Sequence, residues 1–231
     1  MKLRLIIMYA PLVMAIVGCW NPVPAADQVA FSPFSTRATR GGTTEYFFIV
    51  EATDILAFTH PGVSELPRKP ADIGALSEPG LSKMFAVMGK LRDVNGELIG
   101  VASELIDERP EHDLSVGVFS KDTVWTLVIS GRGSLYLSQI EDNGPVVFDF
   151  IEPNVRSGEP WTGEFVFTPT IGPGADRLGM IVGGTGEFEG AMGTFIETVR
   201  ITRFEPNGTS DAVLELKVSY DLPNGHIERG D

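Results

Sequence analysis

Asp211-Ala212-Val213-Leu214-Glu215-Leu216-Lys217-Val218-Ser219-Tyr220 is a strand written in period two. Ala212, Leu214, Leu216, Val218 and Tyr220 share one face, and Glu215, Lys217 and Ser219 share the other. That alternation describes a strand with one buried and one wet side. Segments of the same kind recur upstream, at about 45–53, 84–92, 97–106, 122–129, 133–141, 145–152, 162–168, 178–183 and 191–204, separated by Gly, Pro, Asn and Asp. Asp93-Val94-Asn95-Gly96 and Glu141-Asp142-Asn143-Gly144 read as hairpin signals, because Asn-Gly tolerates the positive φ of a tight turn. No stretch of helical length carries a clean apolar stripe with caps, so the chain is expected to be all-β, a sandwich or a barrel.

The first of these strands differs from the last. Tyr46, Phe48 and Val50 alternate with Phe47 and Ile49, so both of its faces are apolar. Residues 60–80 hold Pro61, Pro67, Pro70 and Pro79, which is too much proline for a strand and predicts a long loop able to lie over a barrel mouth.

The amino-terminal 25 residues read as a leader. Lys2 and Arg4 precede an apolar run from Leu5 to Gly18 that has the length of a signal-peptide core. Val23-Pro24-Ala25 before Ala26 fits ordinary signal-peptide cleavage, and Ile16-Val17-Gly18-Cys19 resembles a bacterial lipobox, in which Cys19 would be lipidated. The expectation is an exported protein, periplasmic, secreted or anchored to an outer membrane, touching a membrane only through a lipid on Cys19. Residues 26–44 form a polar linker or arm, 45–222 the barrel domain and 223–231 a tail.

Cys19 is the single cysteine, so the mature domain has no disulfide and no cysteine metal site, and its core must hold it. Formal charge is −13, and loss of Lys2 and Arg4 with the leader makes it −15. Such a surface repels nucleic acid, which is excluded as a partner.

Familiar catalytic signatures are missing. His60, His112 and His226 stand beside turn residues without ligand spacing, so no metal is expected, nor any cofactor. There is no G-x-S-x-G elbow and no P-loop. Gly183-Gly184-Thr185-Gly186 is followed by a strand rather than a helix, with Glu189 where a third fingerprint glycine would fall, and reads as a tight glycine turn. Asn207-Gly208-Thr209 matches a glycosylation acceptor, and a turn explains it equally well.

In wider context the glycines carry more. Met180-Ile181-Val182-Gly183-Gly184-Thr185-Gly186-Glu187-Phe188, with Gly190, Ala191 and Gly193, resembles the signature of the dirigent and allene oxide cyclase barrels. Gly131-Arg132-Gly133-Ser134-Leu135-Tyr136-Leu137-Ser138 is similar to the family's third strand, Phe148-Asp149-Phe150 to its fourth and Asp211-Ala212-Val213-Leu214-Glu215 to its last. The resemblance spans about residues 131–220, with an echo in Tyr46-Phe47-Phe48. It implies an eight-stranded antiparallel barrel, commonly a homotrimer, holding a small apolar, oxygenated molecule so that cyclisation or stereoselective coupling follows one course. A shaped, dry pocket supplies orientation there, and few catalytic groups are needed.

The resemblance also nominates residues. Arg177, six before Gly183, stands where dirigent proteins often carry an arginine at the cavity mouth; the alternative is a surface charge in the Gly174-Ala175-Asp176 turn. Glu51 takes the approximate place of a first-strand acid, with Asp54 competing. It shares a face with Phe47 and Ile49, and inside an apolar barrel its pKa would rise and suit acid–base work. At the strand end it would simply reach water. Asp149 shares a face with Val147 and Ile151 and is either a site acid or an outward charge. Tyr136 matches a family tyrosine able to donate to a ligand oxygen, and Phe47 and Phe148 are nominated as ligand-facing aromatics. The second dirigent carboxylate would fall near Ile171, where no acid stands.

Three functions follow as expectations: a cyclase- or dirigent-like protein, a non-catalytic lipid or metabolite carrier, and a structural envelope lipoprotein whose barrel is filled by its own side chains.

Overall fold

The computed structural model describes residues 44–51, 55–60, 63–65, 83–208 and 210–222; between 44 and 65 only Phe48 and Ile49 have described side chains. The leader with Cys19, the proposed arm, most of the 60–80 segment and the tail lie outside the described residues, as do the side chains of Phe47 and Glu51.

The described residues form twelve strands: β1 (Thr44–Glu51), β2 (Ile55–His60), β3 (Val63–Glu65), β4 (Met84–Arg92), β5 (Leu98–Glu108), β6 (Ser120–Ile129), β7 (Gly133–Asp142), β8 (Trp161–Phe167), β9 (Thr170–Gly172), β10 (Gly179–Gly186), β11 (Met192–Phe204) and β12 (Ser210–Asp221). Eight close a ring in the order β1-β12-β11-β10-β7-β6-β5-β4, and β4 returns to β1 through Arg92 opposite Ile49. Every pairing in that ring is antiparallel. The fold is the eight-stranded antiparallel β-barrel expected. Closure removes the sheet edges that an open antiparallel sheet of this size would expose.

Local chemistry explains the turns. After β4, Asp93 accepts from the backbone N–H groups of Asn95 and Glu97, both at 2.9 Å, and Gly96 takes φ +79°. The last hairpin turns at Gly208, φ +93°, whose N–H donates to the carbonyl of Glu205 at 2.8 Å. The glycine-rich stretch is placed differently from expectation. Gly183 to Gly186 lie within β10, and the turn follows them, with the Phe188 N–H donating to the Thr185 carbonyl.

Residues 145–152 are not a strand. Val146–Ile151 form a π-helical turn that runs into a short α-helix, α1 (Glu152–Ser157), ended by Gly158 at φ +72°. Val146, Val147, Phe150 and Ile151 are the buried ones, a helical rather than an alternating pattern. Glu141 to Gly144 therefore lead into a helix and do not close a hairpin. Phe150 pins the helix, stacking on Phe165 at 4.4 Å and meeting Trp161 and Phe204 edge-on. β2, β3 and β9 were not anticipated, and β3 falls inside the stretch expected to be loop.

Two apolar clusters fill the barrel domain. The first contains Phe48, Phe85, Val87, Trp125, Leu127, Leu135, Leu137, Phe195, Leu216 and Val218. The second joins Phe119, Val199, Ile201 and Phe204 to the helical segment. Between them, the inward positions turn polar: Lys121 and Thr123 on β6 separate Phe119, just before the strand, from Trp125, and Glu197 separates Phe195 from Val199 on β11.

A shared strand position shapes this layer. β10 pairs with β11 only from Gly179↔Phe195 to Ile181↔Gly193, and β8 pairs with β11 only from Val199 onward. Residues 196–198 thus face a seam. β9 enters it from the β7 side, and the Glu197 N–H donates to the Thr170 hydroxyl at 2.9 Å in place of a ladder bond.

Candidate functional site: a buried carboxyl layer

Three acids meet in the seam. Glu104 comes from β5, Glu141 from β7 and Glu197 from β11, and one carboxylate oxygen from each lies within 4.8 Å of the others. All three are buried, none more than 7% exposed. Strand alternation brings them there: each stands in phase with core residues, Glu104 with Ala102 and Ile106, Glu197 with Phe195 and Val199, Glu141 with Leu135 and Leu137.

Gln139 ties the layer together. Its amide NH2 donates to Glu141 Oε1 at 2.6 Å and to Glu197 Oε2 at 2.5 Å, while its carbonyl accepts from the Thr170 hydroxyl at 2.6 Å. Asn143 Nδ2 donates to Glu141 Oε2 at 2.9 Å, and the Trp125 indole N–H donates to Glu197 Oε2 at 3.3 Å. Glu104 brings a carboxyl oxygen within 4.8 Å of Glu141. Lys121, also buried, lies opposite Glu141 in register, and its ammonium sits over the rings of Phe119 and Phe85 at 4.4 and 5.4 Å.

Burial decides the charge. It pushes the Glu104 carboxyl well above the usual carboxylate range, and the charges of Glu141 and Glu197 push it further, against the opposing pull of Lys121. Burial likewise raises Glu197 to about 8, helped by the charge of Glu141 and opposed by the hydrogen bonds from Gln139 and Trp125. Glu197 therefore keeps its proton at neutral pH, Glu104 is raised in the same direction, and Glu141 accepts two amide N–H bonds. The layer can hand out a proton and take one back. Three close oxygens would also suit a hard cation. Here, though, an amide NH2 points at two of the three carboxylates, and Lys121 adds positive charge, so the donor set fits shared protons better than a metal.

The sequence-nominated residues whose side chains are described are not gathered in this layer. Asp149 is exposed on the π-helical turn, so the strand phase that aligned it with Val147 and Ile151 does not exist. Phe148 is half-buried against the second cluster. Tyr136 is half-buried between the inward Leu135 and Leu137, on the outer phase of β7 and beside Gly183. Arg177 is exposed at φ +62°, in the 3₁₀ turn Ala175–Arg177. The Glu51 backbone pairs with Val213.

Glu104, Glu141, Glu197, Gln139 and Lys121 went unnoticed in the sequence. A signal existed: Phe195-x-Glu197-x-Val199-x-Ile201 places an acid on an otherwise apolar face.

No protein-family model matches the chain, and no curated protein matches it. Among solved structures it is similar to a pterocarpan synthase dirigent protein, at 17% identity and TM-score 0.38 over 83% of this chain and 100% of that one. It is also similar to an exo-specific intermolecular Diels-Alderase, at 14% identity and TM-score 0.30 over 75% of this chain and 98% of that one. A heme-binding cyclase that catalyses a cycloaddition in neoabyssomicin biosynthesis aligns at 9% identity and TM-score 0.34, over 82% and 71% of the two chains.

Proposed function

We propose that this barrel binds a small, largely apolar, oxygenated molecule against the carboxyl layer and guides its cyclisation by proton transfer. The observation that carries the reading is the trio Glu104, Glu141 and Glu197, buried together between two apolar clusters with Lys121 beside them. Burying such groups costs stability, and apolar residues of similar volume would serve a purely structural barrel as well or better. Chemistry is what the arrangement offers in return.

In a ring closure by addition of a substrate hydroxyl, a carbon–oxygen bond forms and the hydroxyl proton passes to Glu141. Glu104 or Glu197 gives its proton to the substrate atom that gains electron density. The layer ends with the same number of protons, and no oxidant or reductant is consumed. Water-poor surroundings strengthen each of these interactions and keep the substrate in one shape.

Work outside the cytoplasm belongs to the same proposal and rests on the leader sequence. So does self-association. Leu105 pairs with Val124, and Val124 shares Ser138 as cross-strand partner with Met180, so three exposed apolar side chains form a row on the outer face of β5, β6 and β10.

Native mass spectrometry of the protein from its own host, followed by extraction and identification of what is released, tests the reading. A discrete apolar, oxygenated ligand that Glu197→Gln and Glu104→Gln bind but fail to convert supports it. Conversion unchanged in both variants rejects proton transfer by this layer.

The filled first cluster favours a second reading, a structural barrel packed with its own side chains. Absence of any ligand, together with a gain in stability when Glu104 and Glu197 are both replaced by Leu, would support that one.

A further inference from the structure

Thr123 and Lys121 are successive inward residues of β6, and both hold donors that the fold leaves unused. Thr123 is fully buried, and its hydroxyl has no hydrogen-bond partner among the described residues. Its cross-strand neighbour Gln139 is committed elsewhere, with its carbonyl on Thr170 and its NH2 on Glu141 and Glu197. On the other side stands Ile106, which offers nothing polar from its side chain. A buried hydroxyl in this position is a cost without compensation. Lys121 is 3% exposed, and among the described residues its ammonium makes no ion pair or hydrogen bond; it rests on two phenyl rings instead. One of them, Phe85, lies in the same cross-strand row as Thr123, through Phe85↔Ile106↔Thr123. The ammonium and the hydroxyl therefore border one stretch of the interior. Glu104 lies one row further, between Val87 and Trp125.

We propose that Lys121 and Thr123 together hold and polarise the carbonyl oxygen of the ligand, so that the substrate class is a neutral, mainly apolar ketone or aldehyde. This rests on the ligand-binding reading above and adds the functional group. A carbonyl oxygen has two lone pairs and accepts from both donors at once. A phosphate or a second carboxylate would bring further negative charge into a layer that already holds Glu141 and has one buried cation to balance it. The rings of Phe85 and Trp125 and the side chain of Ile106 suit the apolar remainder of such a molecule. With electron density drawn to that oxygen, the attached carbon or its conjugate position becomes the electrophile, within reach of the acids that manage protons.

The probe is benzylideneacetone carrying a ¹³C-labelled carbonyl, followed by isotope-edited infrared spectroscopy on the full-length protein. The expected result is saturable binding with the carbonyl stretch shifted below its position in alkane solvent. Thr123→Val, nearly equal in volume, and Lys121→Met should each move the band back part of the way and weaken binding about fivefold, the effect of losing one hydrogen bond. Thr123→Ser should keep the shift, which covers the case in which the valine variant folds poorly. Saturable binding with an unshifted band, or a shift indifferent to Lys121→Met and Thr123→Val, overturns the carbonyl assignment. It leaves the proposed ligand-binding function standing if a native ligand is found by mass spectrometry. No saturable binding also overturns it, and so does a borohydride-stable adduct on Lys121, because the amine would then act covalently.

Discussion

The indole N–H of Trp125 donates to Glu197 Oε2 at 3.3 Å, joining residues 72 positions apart across the barrel interior. Burial with Glu141 nearby raises Glu197 to about 8, so the acceptor of that bond changes charge slightly above neutral pH. Tryptophan emission should report it. A titration of fluorescence from pH 6 to 10 is expected to show a transition centred near 8. Glu197→Gln should abolish the transition, and Trp161→Phe should retain it. Persistence of the transition in Glu197→Gln would assign it to another group.

The same group makes stability depend on pH. The folded-state pKa is above the unfolded one, so between the ordinary carboxylate range and about 8 the folded protein binds more protons than the unfolded chain. Stability is then highest at the acidic side of that window, falls as pH rises through it and levels off above it. The slope per such group is at most about 1.4 kcal/mol per pH unit. Urea unfolding at pH 6 and pH 9 should show a lower midpoint at pH 9 for the native protein and a smaller difference for Glu197→Gln. An equal difference in both would mean that Glu197 does not titrate in the fold.

Gly179 is needed for its missing side chain. A Cβ there would lie 2.3 Å from Phe195 Cε1 and 2.7 Å from Cδ1, and Phe195 is locked in the core at 1% exposure. Gly179→Ala is expected to destabilise by about 1–3 kcal/mol through overpacking, read as a lowered unfolding midpoint. Restoration of stability in the double variant with Phe195→Leu would locate the clash.

Arg177 has left-handed backbone, φ +62°, next to Asp176 at φ +56°, and its side chain is exposed. Arg177→Gly should relieve strain and raise stability by about 1 kcal/mol, since glycine accepts that conformation without penalty. If the carboxyl layer is the functional centre, this variant should also bind benzylideneacetone within twofold of the native affinity. A larger loss would restore Arg177 as a ligand-contacting residue.

Much of the barrel was readable because alternation is a local property. In β12, Leu216, Val218 and Tyr220 are buried while Lys217 is exposed, as the period-two reading of residues 211–220 requires. Asp93 to Gly96 form their turn through hydrogen bonds within five residues. The failures were local as well. Val146 to Ile151 are apolar at almost every position, so no period distinguishes strand from helix there, and aromatic packing of Phe150 on Phe165 and Trp161 accompanies the helical outcome. The very short β9 was hidden among turn residues and has meaning only as a partner of Ile140 and Glu141 on β7.

By itself the sequence determined the class of fold, most strand positions and the turns at Asp93–Gly96 and Gly208, since each depends on residues a few positions apart. The functional layer depended on the tertiary structure. Glu104, Glu141 and Glu197 carry no shared spacing, and each could have faced water had its strand been shifted by one residue. Barrel closure through Ile49 and Arg92, together with the register of β5, β6, β7 and β11, turned them toward one another. The two apolar clusters then withdrew them from water, and that desolvation, which exists only in the folded chain, raises the carboxyls of Glu104 and Glu197 above the usual range.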